Sequence, residues 1–169
     1  MSNIPSTPAD GNVRTDVVTA IADIAAPKAA TELAAASSKN ISCYITAGGS
    51  KLDATQDMIT DERECDTFSA QAPGRKKIDS PSLTVIDNTG TANSSSNDAI
   101  TALAEGSTVY IVRRYGKAFS TAYAASDKVD VFKCIVGAKQ RMAPEANSVF
   151  RSLVPLYVQD YKQDATVAA

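Results

Sequence analysis

The sequence predicts a mainly β protein: a β-sandwich or barrel flanked by one short α-helix, with a long inter-strand loop and extended terminal arms. Three observations predict it. Several short segments alternate apolar with polar side chains, or are dense in Val, Ile and aromatic residues, as half-buried strands are. Turn signals rich in Gly, Pro, Asn and Ser separate them. Only 97–105 carries both a start and a stop signal for a helix. At 169 residues, 44% hydrophobic and 21% charged, the chain has the make-up of one globular domain.

Residues 1–12, with Pro5, Pro8 and Gly11 among small polar residues, read as a flexible N-terminal arm. A single domain is expected over 13–161. Val13 to Ile24 is rich in Val and Ile and supplies a strand before Pro27. The Ala-rich 28–36 reads as a short helix with a thin apolar stripe. Ile41, Cys43 and Ile45 then alternate with polar neighbours, Gly48-Gly49 offers a turn, and Lys51 to Thr55 pairs back as a hairpin.

Residues 56–74 show no periodicity, carry a cluster of charges and close on Pro73-Gly74, so they read as a long loop. A strand follows over 75–87, strongest at Leu83, Val85 and Ile86. Residues 88–96 form a connector of Asn, Thr, Gly and Ser. In the helix at 97–105, Asn97 caps, Asp98 suits the first turn, Ile100 and Leu103 share a face, and Gly106 ends it. Thr108 to Arg114 and Val129 to Val136 are strands dense in β-branched residues. The last strand, Ser148 to Asp160, places Phe150, Val154, Leu156 and Val158 on one face; Pro155, on the other, points to an edge or a bulge. Residues 162–169 read as a C-terminal tail.

Composition narrows the chemistry. There is no His, which removes the commonest general base, the Ser-His-Asp triad and His-ligated zinc. Cys43, Cys65 and Cys134 are odd in number and widely spaced, unlike a disulfide framework or a thiolate metal site. Seventeen basic against 19 acidic residues leave a charge of −2, without the basic surplus that holds nucleic acid. The start has no basic-then-apolar signal run and no stretch is long enough to span a membrane, so the expectation is a soluble protein made inside a cell.

The cluster Asp61, Glu62, Arg63, Glu64, Cys65, Asp66 offers carboxylates for a cation or for acid–base work, but its spacing fits no calcium loop. A solvated or intermolecular loop is the plainer reading. Gly48-Gly49-Ser50-Lys51 lacks the spacing of a phosphate loop. Arg75, Lys76 and Lys77, and Arg113-Arg114, read as partners for the acidic loop rather than a nucleic-acid patch. No catalytic, cofactor or metal site assembles from these residues, so function is sought in surfaces and strand edges.

Taken in order, Ile41-Ser-Cys-Tyr-Ile-Thr, the Asp61–Asp66 stretch leading to Ala72-Pro-Gly-Arg-Lys-Lys, Gly106-Ser-Thr-Val-Tyr-Ile-Val-Arg-Arg-Tyr-Gly, Asp127-Lys-Val-Asp-Val-Phe, Ala143-Pro-Glu-Ala-Asn-Ser-Val-Phe and the ending Asp164-Ala-Thr-Val-Ala-Ala resemble the major tail (tail tube) proteins of long-tailed double-stranded DNA bacteriophages. The resemblance spans residues 13 to 169. It implies a structural virion protein, not an enzyme, that forms hexameric rings stacked into a hollow tube. Neighbouring inner sheets would join into a continuous barrel, and 56–74, with Asp61, Glu62, Arg63, Glu64, Asp66, Arg75, Lys76 and Lys77, would touch the adjacent ring. The two terminal arms would bridge subunits. The implied partners are further copies of the chain, a tape measure protein during assembly in the host cytoplasm, tail terminator and distal tail proteins, and double-stranded DNA that passes without being held. No cofactor and no membrane is implied. An acidic lumen repels phosphate, and Asp53 and Asp57 are the candidates to line it. A tail terminator or decoration subunit, and a ligand-binding β-sandwich, are the alternatives; 6% aromatics without Trp argues against the latter.

Overall fold

The computed structural model of the chain describes residues 4–65 and 67–169. Its strands are β1 (Val13–Val18), β2 (Lys39–Asn40), β3 (Ile45–Lys51), β4 (Ala54–Asp61), β5 (Ala70–Ile78), β6 (Ser82–Ile86), β7 (Thr108–Tyr115), β8 (Lys128–Val136), β9 (Gln140–Arg141) and β10 (Arg151–Thr166). The one α-helix among the described residues, α1, spans Asp98–Ala102, and Ala29–Leu33 forms a π-helical turn. Eight strands make one antiparallel sheet in the order β2-β1-β7-β8-β10-β6-β3, with β9 beside β10; β4 and β5 form a separate two-stranded ribbon.

The sheet curls because β10 changes partner. Its first residues, Arg151 to Pro155, pair with β6, and Leu156 onward pairs with β8. Two irregularities, between Val158 and Asp160 and between Lys162 and Ala165, bend it further. Pro155 sits at the change of partner rather than on an edge, where its missing N–H breaks no ladder; its carbonyl accepts from Gly137 at 2.9 Å.

Apolar side chains fill both faces of the curl. On one face Ile41, Leu83, Val85, Ile111, Phe132, Cys134, Val154 and Leu156 are buried, closed over by Ala99 of α1 and by Leu103 just after it. On the other, Val112, Val129 and Val131 meet Ile21 and Leu33, with Ala165 and Val167 from the end of the chain. Double-sided burial explains the near-continuous Val and Ile of β7 and β8. Each large aliphatic side chain so buried contributes about 1.5–3 kcal/mol.

Several expectations change. Gly48-Gly49 lies inside β3, not at a turn: the register shifts between Ile45 and Ser50 and Gly48 has φ +68°. A Cβ on Gly49 would sit 2.7 Å from the Thr84 carbonyl oxygen, so this bulge presses backbone on backbone. The connection to β4 is residues 52–53 instead. Residues 56–74 are not an irregular loop but most of the β4–β5 hairpin. The 75–87 strand breaks at 79–81, where Ser80 has φ +48°. The first strand stops at Val18, the final one starts at Arg151, and the helix shrinks to Asp98–Ala102.

Asn97 makes no side-chain cap; its amide holds the 88–96 connector, accepting from the Asn88 N–H and donating to the Thr89 hydroxyl. The C-terminal tail is no free arm. Thr166 still pairs with Lys128, and the Ala168 N–H reaches the Pro27 carbonyl at 2.9 Å. Residues 4–12 carry no strand and are exposed up to Gly11.

Candidate assembly interface

The β4–β5 hairpin carries most of the residues the sequence singled out. Ala54 pairs with Ile78, Gln56 with Lys76, Met58 with Pro73 and Asp61 with Ala70, with a bulge between Gln56 and Met58. Nearly every position of both strands is exposed, including Met58 and Ile59. A ribbon with neither face covered gives no hydrophobic alternation, which is why its sequence looked like a loop. Phe68, between the strands, is 82% exposed.

Charge divides along the hairpin. Its tip holds Asp61, Glu62, Arg63 and Glu64; Arg63 pairs with Asp61 at 2.9 Å and Glu62 accepts from the Ser69 hydroxyl. Asp66 lies outside the described residues. The base holds Arg75, Lys76 and Lys77. The structure brings Lys77 to Asp57 at 3.0 Å and to Asp79 at 3.6 Å, and the Asp57 hydrogen bond and charge, with Asp79, raise its ammonium pKa. Arg75 and Lys76 make no ion pair among the described residues, so the basic run does not fold back on the acidic tip. Asp53 lies apart on the β3–β4 connection. Burial and the carboxylates of Asp130 and Asp53 push the Tyr115 phenol up against the pull of Arg113.

Strand edges are the second feature. The curl brings β1 and β3 to face one another across an open cleft of about 420 Å³ without pairing. The β1 side is blunted from within, because Ser42 Oγ accepts from the Thr15 N–H at 2.8 Å and the Ile41 N–H donates to the Thr15 carbonyl. Among the described residues β3 pairs only with β6, so its outer edge stays available.

Two ionic centres are buried in the fold, and at the first the expectation that Arg114 partners the acidic loop gives way, because its carboxylate is Asp127. Arg114, 1% exposed, donates to the carbonyls of Ala118, Thr121 and Ala122 and to Asp127 at 3.2 Å. Lys117 closes on the other Asp127 oxygen. Burial pushes the Asp127 carboxyl up, but the Lys117 and Ala124 hydrogen bonds and the charges of Lys117 and Arg114 outweigh it and hold it below the ordinary carboxylate range. The guanidinium groups of Arg14 and Arg114 lie 4.8 and 5.1 Å from the Tyr123 ring centre.

Asp87 is the second centre. It accepts from the Ser152 hydroxyl at 2.6 Å, Lys139 at 3.1 Å and the Thr89 N–H, and these outweigh its burial to hold its pKa far below normal. It forms the floor of a pocket of about 250 Å³ with Arg141, Met142, Phe150 and Arg151 at its walls. Cys134 is a buried core thiol whose pKa burial pushes up to about 12, and Cys43 is exposed. Among the described residues no three carboxylates or thiols gather as a metal site requires.

The profile of the family described as phage tail tube protein matches residues 1–169. No curated protein matches the chain. Among solved structures it is similar to a chain in the cryo-EM structure of the anti-feeding prophage baseplate, 6-fold symmetrised, with a TM-score of 0.54 and 10% identity over 94% of this chain and 96% of that one. At that identity the likeness concerns the fold.

Proposed function

The chain belongs to the phage tail tube protein family and is a structural component of a phage tail, and from that premise we propose that it polymerises as stacked hexameric rings into a hollow tube through which DNA leaves for the host. The observation that carries this reading is the β4–β5 hairpin. An isolated two-stranded ribbon is marginal in water, and this one exposes both faces together with Met58, Ile59 and Phe68. A contact between rings would cover it. The outer edge of β3 supports lateral contact: it and the blunted β1 end are unlike surfaces, and joining unlike surfaces gives a ring where the rotation closes, rather than a two-fold dimer. The sixfold averaging of the baseplate structure supports six copies.

The corresponding partners are other copies of the chain, a tape measure protein during assembly in the host cytoplasm, and terminator and distal tail proteins at the tube ends. The C-terminal end is engaged with its own sheet, and the Gly11 and Asn12 carbonyls are held by the Phe119 and Gly116 N–H groups, so the hairpin and residues 4–10 carry the bridging roles. For the lumen, Asp53 is the stronger candidate, because the Asp57 charge is answered by Lys77. With a net charge of −2 the subunit brings no cationic surplus to brake DNA.

The test removes the hairpin. A chain in which a short Gly-Ser turn replaces 57–74 is expected to remain folded and to form no tubes at concentrations where the full chain does. Tubes of normal length from the shortened chain would contradict the reading.

A further inference from the structure

We propose that the pocket above Asp87 is the receiving site for the hairpin tip of a second copy, with Phe68 as the knob. The proposal rests on the stacked-ring reading and identifies the surface the hairpin meets. Topology sets the two features at opposite ends of the sheet. β6 begins at Ser82, just after the hairpin's second strand returns, and ends at Ile86, next to Asp87 and the pocket. β10 runs antiparallel, with Arg151 beside Ile86 and Pro155 beside Ser82, then continues past the hairpin base, where Leu156 to Tyr161 flank Lys76 to Ile78. The hairpin therefore leaves in the direction β10 travels, while the pocket opens where β10 starts. Knob and socket at opposite ends make a head-to-tail contact, which propagates without limit along an axis.

The chemistry of the two surfaces matches. The knob is an aromatic ring that is 82% exposed, beside Glu62 and beside Arg63, whose charge is answered by Asp61. The socket has apolar walls in Met142 (37% exposed) and Phe150 (61% exposed), both open to solvent. Its rim carries Arg141, which has no ion-pair partner among the described residues, and Arg151, held at 2.6 Å by Glu145. The Asp87 carboxylate beneath is already satisfied by Ser152, Lys139 and Thr89, so it presents little free charge to an incoming acidic tip. An aromatic anchor in a pocket, ringed by opposite charges, is the usual form of an energetically dominant contact.

Full-length protein with photoreactive p-benzoylphenylalanine in place of Phe68 tests the placement. The expected result is an adduct between two copies that maps to residues 141–151. An adduct within one copy, or at another segment of the second copy, overturns the proposal. Charge exchange gives an independent reading. Glu62→Arg and Arg141→Glu should each raise the concentration needed for polymerisation about tenfold, and the double variant should recover most of it. Polymerisation at an unchanged concentration in Phe68→Ser and in both charge variants overturns the pocket while leaving the stacked tube intact. A full chain that yields nothing larger than a monomer overturns the tube reading as well.

Discussion

The Val167 N–H donates to the Asp127 carbonyl at 2.9 Å, and the Val167 carbonyl accepts from the neighbouring Ser126 N–H at 2.9 Å. This reciprocal clasp fixes the end of the chain against the corner that leads into β8. Val167 itself is 2% exposed, in the cluster with Leu33 and Val131. Val167→Ala should therefore cost about 2 kcal/mol, lowering Tm by roughly 4–8 °C for a domain of this size. Removing 4–8 at the other end, which is exposed and gives only the Pro8 carbonyl to the Asn12 side chain, should leave Tm nearly unchanged in calorimetry of the unassembled protein.

Arg114 acts as a clamp on the β7–β8 connection, since its guanidinium ties three carbonyls within 118–122 to Asp127. Arg114→Met keeps much of the packing but strands those acceptors and leaves Asp127 to Lys117. The expected loss is about 3–5 kcal/mol, read as a lower urea midpoint. A midpoint within experimental error of the unaltered protein would show that the clamp contributes no net stability.

Acid should weaken the fold through Asp87 and Asp127. Both carboxyls titrate lower in the folded chain than in the unfolded one, so the unfolded state takes up protons first as pH falls. Their stabilisation is complete above an unfolded pKa of about 3.9 and drains away as pH falls below it toward the folded values. Asp16 opposes this, because burial raises its pKa despite the Arg14 charge. The stability gap between the unaltered protein and Asp87→Asn should accordingly narrow below about pH 4. A gap that stays constant from pH 7 to 3 would contradict the assignment.

How much of this was legible in the sequence depends on what each residue packs against. β7, β8 and the 82–86 strand were readable because buried Val, Ile and Leu announce themselves in any sheet. The β4–β5 hairpin was not, because strands with two wet faces carry no periodic signal. The C-terminal end misled for a related reason: Asp164-Ala-Thr-Val-Ala-Ala reads as small and polar, and only the groove beside Pro27 and Asp127 makes it a strand's continuation. The basic run reads in the sequence as a partner for the charges of 56–74, and Lys77 does pair with Asp57 from that stretch, while its second partner, Asp79, lies outside it and the acidic tip is not engaged. The Arg114 and Asp87 centres arise from residues 13 and 65 positions apart, which only the finished topology brings together.

Asp53 offers a functional readout separate from assembly. Asp53→Lys adds a cation on the β3–β4 connection, where no ion pair among the described residues is disturbed. Tubes should form normally while DNA ejection slows, since each added phosphate contact acts as a brake repeated in every ring. Unchanged ejection kinetics would move the lumen away from Asp53. Asp57→Lys is the contrasting case, because a second cation against Lys77 should disturb the hairpin itself.

The central claim is head-to-tail self-association of this chain into a tube, and electron microscopy of the concentrated full-length protein tests it most directly. Long hollow cylinders with sixfold end views are the predicted result. A solution that remains monomeric at millimolar concentration, or that stops at isolated rings which never stack, would contradict it.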